Sequence, residues 1–384
     1  MRFVLLFRSP KDKEAEEGIL NMANTCGCGT TEASYCGKAT PPEPTYKKTW
    51  MSGTTDSPIG PIPTVSTALT WRDHLGGWKV RWCVGRMEYS IKPDLYAIGK
   101  PSPDSPVLVT ANYKLSLDAL RRELKGIDAW ILVLDTKGVN VWCAAGKGTF
   151  GTDELVKRIT AVRLSEVVHH HRIILPQLGA PGVAAQLVTL RTGFSVDYGP
   201  VRAKDIPAYL AAGRKATAEM RCVTFDLRER LTVVPVEIVQ AWKSLFILAV
   251  ILALMAAIGG EHVRTSIGKE ALTLLGAFLT GTLLTAALLP WIPFRAFALK
   301  GFILGLAWTG WAAWFFHTGT IQTVGSLLLY PGFSAFLAMN FTGDTTFTSP
   351  TGAMREVKIA TPIILAFALV GITLKLIAAG LAIS

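Results

Sequence analysis

From about Gln240 to its carboxyl end the chain runs as one apolar block after another, and no other feature restricts its fold so tightly. A helix crosses a bilayer core with about 20 predominantly apolar residues, because backbone polar groups must be satisfied within their own segment where water is absent. Five stretches reach that length: Ala241–Gly259, Ala271–Leu289, Phe297–Phe316, Ile321–Phe341 and Ile359–Ile383. Glycine, threonine and proline make the second and fourth the weakest. Most of the charge falls in the first 240 residues, although charged residues are only 17% of the chain. The expected organisation is a flexible extension over 1–60, an α/β domain over 61–230 and an all-α transmembrane domain of five helices over 231–384.

Basic residues at the span ends set the expected orientation. Arg228, Arg230 and Lys243, then Arg295 and Lys300, then Arg355 and Lys358 fall on one side, against Arg264 and Lys269 on the other. The amino-terminal MRFVLLFRSPKDKE has too short an apolar run for a signal peptide. A multi-pass protein of the cytoplasmic (inner) membrane is expected, with its α/β domain in the cytoplasm. The net charge of +11 suits a basic surface beside anionic lipid headgroups, and a basic face also suits an acidic partner such as a ferredoxin. No interleaving of aromatic and basic residues marks a nucleic-acid module.

Between Pro61 and Arg230 strand and helix patterns alternate. Strands are expected at Pro106–Thr110, Ala129–Asp135, Arg172–Pro176 and Phe194–Gly199. Helices are expected at Ser116–Leu124, capped by Ser116, at Thr152–Val162, and over GVAAQLVTLRT. Such alternation predicts a parallel sheet with helices on its faces and a ligand site beyond the carboxyl ends of the strands. The loops there, ANYK, TKGVNVWCAAGKGTFG, QLGAPG and PVRAKDIP, are rich in glycine and short polar residues, which lets a backbone approach a large ligand. Neither GxGxxG after the first strand nor GxxxxGK[ST] occurs, which argues against a dinucleotide or nucleoside triphosphate.

Of six cysteines, Cys143 has the most distinctive surroundings. In NVWCAAGKG, Asn140 is placed to cap a short helix, putting Cys143 at its third position, where unpaired amides favour the thiolate. Lys147, four residues on, acts in the same direction, and Ala144, Ala145 and Gly146 leave no bulk beside the sulfur. The bland alternative is a small buried cysteine in a tight connection. Cys26, Cys28 and Cys36 lack CxxC spacing and read as part of a glycine-rich lead segment. His169, His170 and His171 do not share one face and read as a solvated loop. Gly301 and Gly305 form a small-xxx-small helix contact. No chain of carboxylates crosses the spans, which argues against an ion-coupled transporter.

NVWCAAGKGTFGTDEL resembles the cap-helix motif of the membrane-bound corrinoid proteins of mercury methylation. SPVLVTANYKLSLDALRREL, LPQLGAPGVAAQLV and GFSVDYGPVRAKDIPAYL are also similar to the corrinoid-binding domain of that family and of the corrinoid iron–sulfur protein large subunit. The resemblance covers roughly Trp71 to the end; the iron–sulfur protein's own cluster-binding motif is absent. It implies a Rossmann-like domain holding a cobalamin-type corrinoid base-off, with Cys143 as the axial cobalt ligand. It further implies methyl transfer to Hg(II), a ferredoxin-like iron–sulfur partner as electron donor, and a methyl donor such as a methyltetrahydrofolate system. Carried onto this chain, the cap motif is Asn140, Val141, Trp142, Cys143, Ala144, Ala145, Gly146 and Lys147, with Trp142 packing the helix onto the sheet. Thr110, Asn112, Gly148, Thr149, Gln177, Gly179, Gly182, Gly199 and Arg202 lie on the loops expected to hold the corrin, or serve as turn residues. The polar segment Asn340–Lys358 resembles one in the corrinoid iron–sulfur proteins. The rival readings are a membrane-anchored methyl carrier of one-carbon metabolism, and a corrinoid or metal transport module.

Overall fold

A computed structural model describes residues 49–258, 260–341 and 350–381, in two compact units. Cys26, Cys28 and Cys36, and the middle of the polar segment Asn340–Lys358, lie outside the described residues. The first unit ends at Thr224 and the second begins at Phe225.

The first unit is built on a seven-stranded sheet of order β1-β2-β3-β5-β4-β6-β7. Its strands are β1 (Met51–Thr55), β2 (Ile62–Val65), β3 (Leu95–Ile98), β4 (Val107–Ala111), β5 (Ala129–Leu134), β6 (Arg172–Leu175) and β7 (Ser195–Tyr198). The last four are the strands the sequence patterns predict, and they pair in parallel. The sheet as a whole is mixed: β3 runs antiparallel to β5 and β1 antiparallel to β2. β1 lies upstream of the boundary expected at residue 61. Its MSGTT carries no apolar alternation, so only pairing with β2 defines it.

The helices of this unit are α1 (Trp71–Arg81), α2 (Lys114–Arg121), α3 (Val141–Gly146), α4 (Thr152–Ala161), α5 (Leu164–Val167), α6 (Ala185–Thr192) and α7 (Ile206–Ala211). Strand residues alternate between two cores with the period of two that a pleated strand imposes. Val107, Val109, Trp130, Leu132 and Leu134 join Leu155, Ile159 and Val188, from α4 and α6, on one face. Leu108, Ala129, Ile131 and Val133 join Leu117, Leu120 and Tyr209, from α2 and α7, on the other.

The expected cap at Ser116 is displaced, because α2 begins at Lys114 after Tyr113. A buried network accounts for the earlier start. Lys114 Nζ lies 2.8 Å from Asp73 Oδ1 and 2.7 Å from Asp118 Oδ1. Arg121 Nε donates to Asp118 Oδ1 at 2.7 Å, and its Nη1 donates to the Ser66 and Ala68 carbonyls. Arg121 Nη2 is 2.8 Å from Asp73 Oδ2 but lacks the alignment of a hydrogen bond. All four charged side chains are buried. Such charges are tolerated in an interior only when paired this completely.

The second unit is helical: α8 (Leu227–Ile258), α9 (Gly260–Leu279), a π-helical turn (Thr280–Leu284), α10 (Thr285–Leu288), α11 (Phe297–Phe316), α12 (Thr320–Asn340) and α13 (Pro350–Leu381). Among the described residues, four segments are long and apolar enough to cross a membrane: Leu227–Ile251, Ile267–Leu288, Thr320–Asn340 and Gly352–Leu381. The third expected span forms α11, a 20-residue helix that contains Lys300 and three tryptophans. Gly301 and Gly305 do make the expected helix contact, where a Cβ would meet Ala338 and Ser334 of α12 at 2.4 and 2.7 Å. Within the apolar segments, Lys375 Nζ lies 2.8 Å from both oxygens of Glu270, which also accept from Gln322 and Tyr330. A single carboxylate satisfied by three donors fits a link among α9, α12 and α13.

Candidate functional site at the carboxyl ends of the parallel strands

Numbered by sequence, the four parallel strands stand in the order second, first, third, fourth, so chain direction across the sheet reverses between β4 and β6. Connections leave those two strands toward opposite faces, and their carboxyl ends open a crevice, the place where doubly wound sheets bind ligands. A cavity of about 330 Å³ lies there, lined by Thr110 at the end of β4, Ser116 and Ala119 of α2, Asn140, Val141 and Trp142 at the start of α3, and Gly199 after β7. Its walls are mainly apolar, with Leu108, Ile174, Leu178 and Ile206 contributing. The α2 and α7 side chains were missed in the sequence because they read as ordinary core positions of amphipathic helices.

α3 is short, and its start is specified locally. Asn140 has extended backbone geometry, and its Oδ1 accepts from the Cys143 amide at 2.9 Å, as the sequence predicts. Ala144 and Ala145 face the core, whereas Cys143, Gly146 and Lys147 are exposed. The helix therefore rests on its small residues and presents Cys143 outward. Lys147 ends α3 as its C-cap, and Thr149 Oγ1 is 3.5 Å from the Ala144 carbonyl. Trp142 is 38% exposed and lines the cavity together with Leu108 and Ile174 of the sheet. A Cβ at Gly146 or Gly148 would meet nothing within 4 Å; Gly148, with φ +79, also turns the chain away from the helix.

The loop before α3 is organised by Asn112. Its Oδ1 accepts from the Thr136 amide (3.1 Å), the Thr136 hydroxyl (2.8 Å) and the Gly138 amide (2.9 Å). Asp135, beside it, titrates below the ordinary carboxylate value: burial opposes this, but hydrogen bonds from Lys137 outweigh it. Tyr113 titrates above the ordinary phenol value, through burial first; Arg86 and Arg81 oppose, while Cys83 and Cys143 add to the rise.

Beneath α3, Gly179 and Gly182 let the Gln177–Gly182 turn approach closely. A Cβ at Gly182 would sit 2.1 Å from the Phe150 carbonyl oxygen and 3.1 Å from the Ala145 Cα, both backbone atoms. Gly182→Ala is therefore expected to cost about 1–3 kcal/mol, since overpacking must be relieved by a backbone shift. It should also change the rate at which Cys143 reacts with a thiol reagent. Gly146→Ala, into open space, should do neither; denaturant midpoints and thiol kinetics on both variants check the contrast.

Gln177 and Arg202 are engaged away from the cavity: Gln177 Oε1 accepts from Arg221 at 3.3 Å, and Arg202 donates to the Thr224 hydroxyl. The three histidines are dispersed, His170 meeting the Ser105 carbonyl at 2.9 Å and His171 packing on Phe194. Among the described residues no group of three or more His, Cys, Asp or Glu side chains is placed to hold a metal ion.

Residues 83–210, which contain this crevice, match the family described as CO dehydrogenase/acetyl-CoA synthase delta subunit. The match ends before the first apolar span. The chain is 32% identical over 130 residues to the acetyl-CoA decarbonylase/synthase complex subunit gamma of Archaeoglobus fulgidus, 33% of this chain and 27% of that protein. It is 30% identical over 146 residues to the corrinoid/iron-sulfur protein large subunit of Moorella thermoacetica, 38% of this chain and 31% of that protein. The Methanopyrus kandleri gamma subunit is 31% identical over 127 residues, again 27% of its length. The chain thus spans about a third or less of the curated relatives it matches. Its sheet domain is related to corrinoid proteins.

Proposed function

We propose that this protein is a membrane-embedded, corrinoid-dependent methyltransferase that passes a methyl group to Hg(II), yielding methylmercury, with Cys143 as the axial thiolate ligand of a base-off corrinoid. The observation that carries the reading is Cys143 itself. It is exposed on a helix capped by Asn140, next to Trp142 of the crevice lining and not itself in that lining, in a domain related to corrinoid proteins. A bound corrinoid supplies a cobalt centre that carries the methyl group.

The residues fit such a group. No atom stands within 4 Å of where a Cβ on Gly146 or Gly148 would lie, so no neighbouring group crowds the end of α3 there. The cavity of about 330 Å³ is too small for the ring but suits one of its arms, with Thr110 and Asn140 as polar contacts among apolar walls. Val141 and Trp142 border that cavity, while Ala144 and Ala145 seat α3 on the core, so the sulfur is positioned by packing as well as by its cap. Asn112, Thr149, Gln177, Gly179, Gly182, Gly199 and Arg202 shape the surrounding loops, and Lys147 ends α3 with its amide on the Cys143 carbonyl. Reduction by a ferredoxin-like iron–sulfur protein and remethylation from a methyltetrahydrofolate system complete the proposed cycle. Five helices in a cytoplasmic membrane, with the sheet domain in the cytoplasm, complete the proposed topology.

The names of the relatives favour a second reading, a membrane-anchored methyl carrier of one-carbon metabolism. Purified protein loaded with methylcorrinoid separates the two. Hg(II) should draw off the methyl group as methylmercury, measured by mass spectrometry, faster than it reacts with free methylcorrinoid. A rate no greater than that background, together with methyl exchange to a folate acceptor, would establish the carrier instead.

A further inference from the structure

α1 reverses the usual amphipathic arrangement. Trp71 and Trp78 are seven residues apart and share one helical face, and Trp82, the C-cap of α1, follows four residues on. That face points outward: the three are 76%, 66% and 39% exposed. Asp73, Gly77 and Val80 occupy the buried side. Beyond the helix, Val84 and Met87 are also exposed. Arg72 and Lys79 stand exposed on the helix, with Arg81 and Arg86 half-buried nearby.

This outward display is built in. Thr70 and Asp73 form a reciprocal capping box, and Asp73 is tied to Lys114 inside the domain. Gly76 lies against the Tyr89 ring and Gly77 against Leu115, so α1 cannot roll its tryptophans inward without breaking a buried ion pair. An apolar stripe of this kind on a rigid helix marks an interaction surface. Tryptophan flanked by arginine and lysine is the composition that settles at the headgroup level of a bilayer. The chain also ties this unit to the candidate spans, since the unit ends at Thr224 and the first span opens at Leu227.

We propose that the face of α1 that carries Trp71 and Trp78, with Trp82 at its C-cap, is an interfacial membrane-docking surface that lies on anionic lipid headgroups. It rests on the candidate spans and is independent of corrinoid chemistry. The tryptophans supply amphipathic anchors, and Arg72 and Lys79 meet lipid phosphates. The docked segment continues toward the crevice, because the Met87 carbonyl lies 3.3 Å from the position of a Cβ on Gly138, in the loop before α3.

Hydroxyl-radical footprinting of the full chain, one copy per nanodisc and read residue by residue by mass spectrometry, tests the proposal. In nanodiscs containing roughly one-third anionic lipid, oxidation of Trp71 and Trp78 should fall about fivefold relative to purely zwitterionic discs, as expected for charge-dependent docking. Exposed Leu190, on α6, serves as the internal control and should not change. Arg72→Glu with Lys79→Glu, both at exposed positions, should restore oxidation. Equal oxidation in the two lipid compositions overturns the proposal. So does protection that survives the charge reversal, and so does protection already complete in lipid-free micelles, the sign of a protein-binding or self-association face.

Discussion

Cys143→Ala is expected to abolish sulfur ligation in the visible spectrum of the corrinoid-loaded protein and to reduce methylmercury formation by at least about a hundredfold. Replacing residues that merely orient a metal ligand already costs 10–100-fold, and removing the ligand should cost no less. The substitution is well placed as a test because Cys143 is exposed and the helix rests on Ala144 and Ala145. Alanine should preserve α3, since the Asn140 cap bonds to the backbone amide of position 143 and not to its side chain. Asn140→Ala, by contrast, should cost about 1 kcal/mol through loss of that cap while leaving the sulfur in place. Unchanged activity and spectrum in Cys143→Ala would sink the thiolate mechanism.

Asp118→Ala is expected to destabilise the sheet unit by about 3–5 kcal/mol, the cost of breaking a buried charge pair. Asp118 accepts from both Lys114 and Arg121, so its loss leaves the Arg121 Nε without its acceptor and Lys114 with Asp73 alone. Against typical total stabilities of about 5–15 kcal/mol this is a large fraction. Pulse proteolysis of the full chain in urea, following cleavage within 39–224, measures it. The same network sets an acid limit. Burial opposes ionisation of Asp73, yet the Lys114 ammonium and the Thr70 hydrogen bonds outweigh it and hold the carboxyl well below its usual range. A folded-state value below the unfolded one, about 3.9, means the stabilisation is fully present above that pH and is lost as pH falls toward the depressed value. Urea midpoints should therefore decline below about pH 4, less steeply in Asp73→Asn.

The legible parts of the molecule are those whose cause lies within a few residues. The strands at β4 to β7 are short apolar runs bounded by turn residues, and the cap at Asn140 needs only its own side chain and the amide three positions on. β3 is equally apolar, but nothing in LYAI states that it runs antiparallel to β5. The cap expected at Ser116 gives way to a start at Lys114, which pairs with Asp73, 41 residues upstream.

Period, capping and span length thus determined, from the sequence alone, an alternating α/β segment ahead of long apolar helices and a cysteine at the third position of a short capped helix. These depend on backbone geometry repeating over two to four residues. Tertiary structure alone decided that β4 and β6 stand side by side and open the crevice, and that Lys375 meets Glu270 across 105 positions. It also decided that the tryptophans of α1 face outward. Each of these follows from the closure of long loops and the competition of whole faces for one core, which no local pattern records.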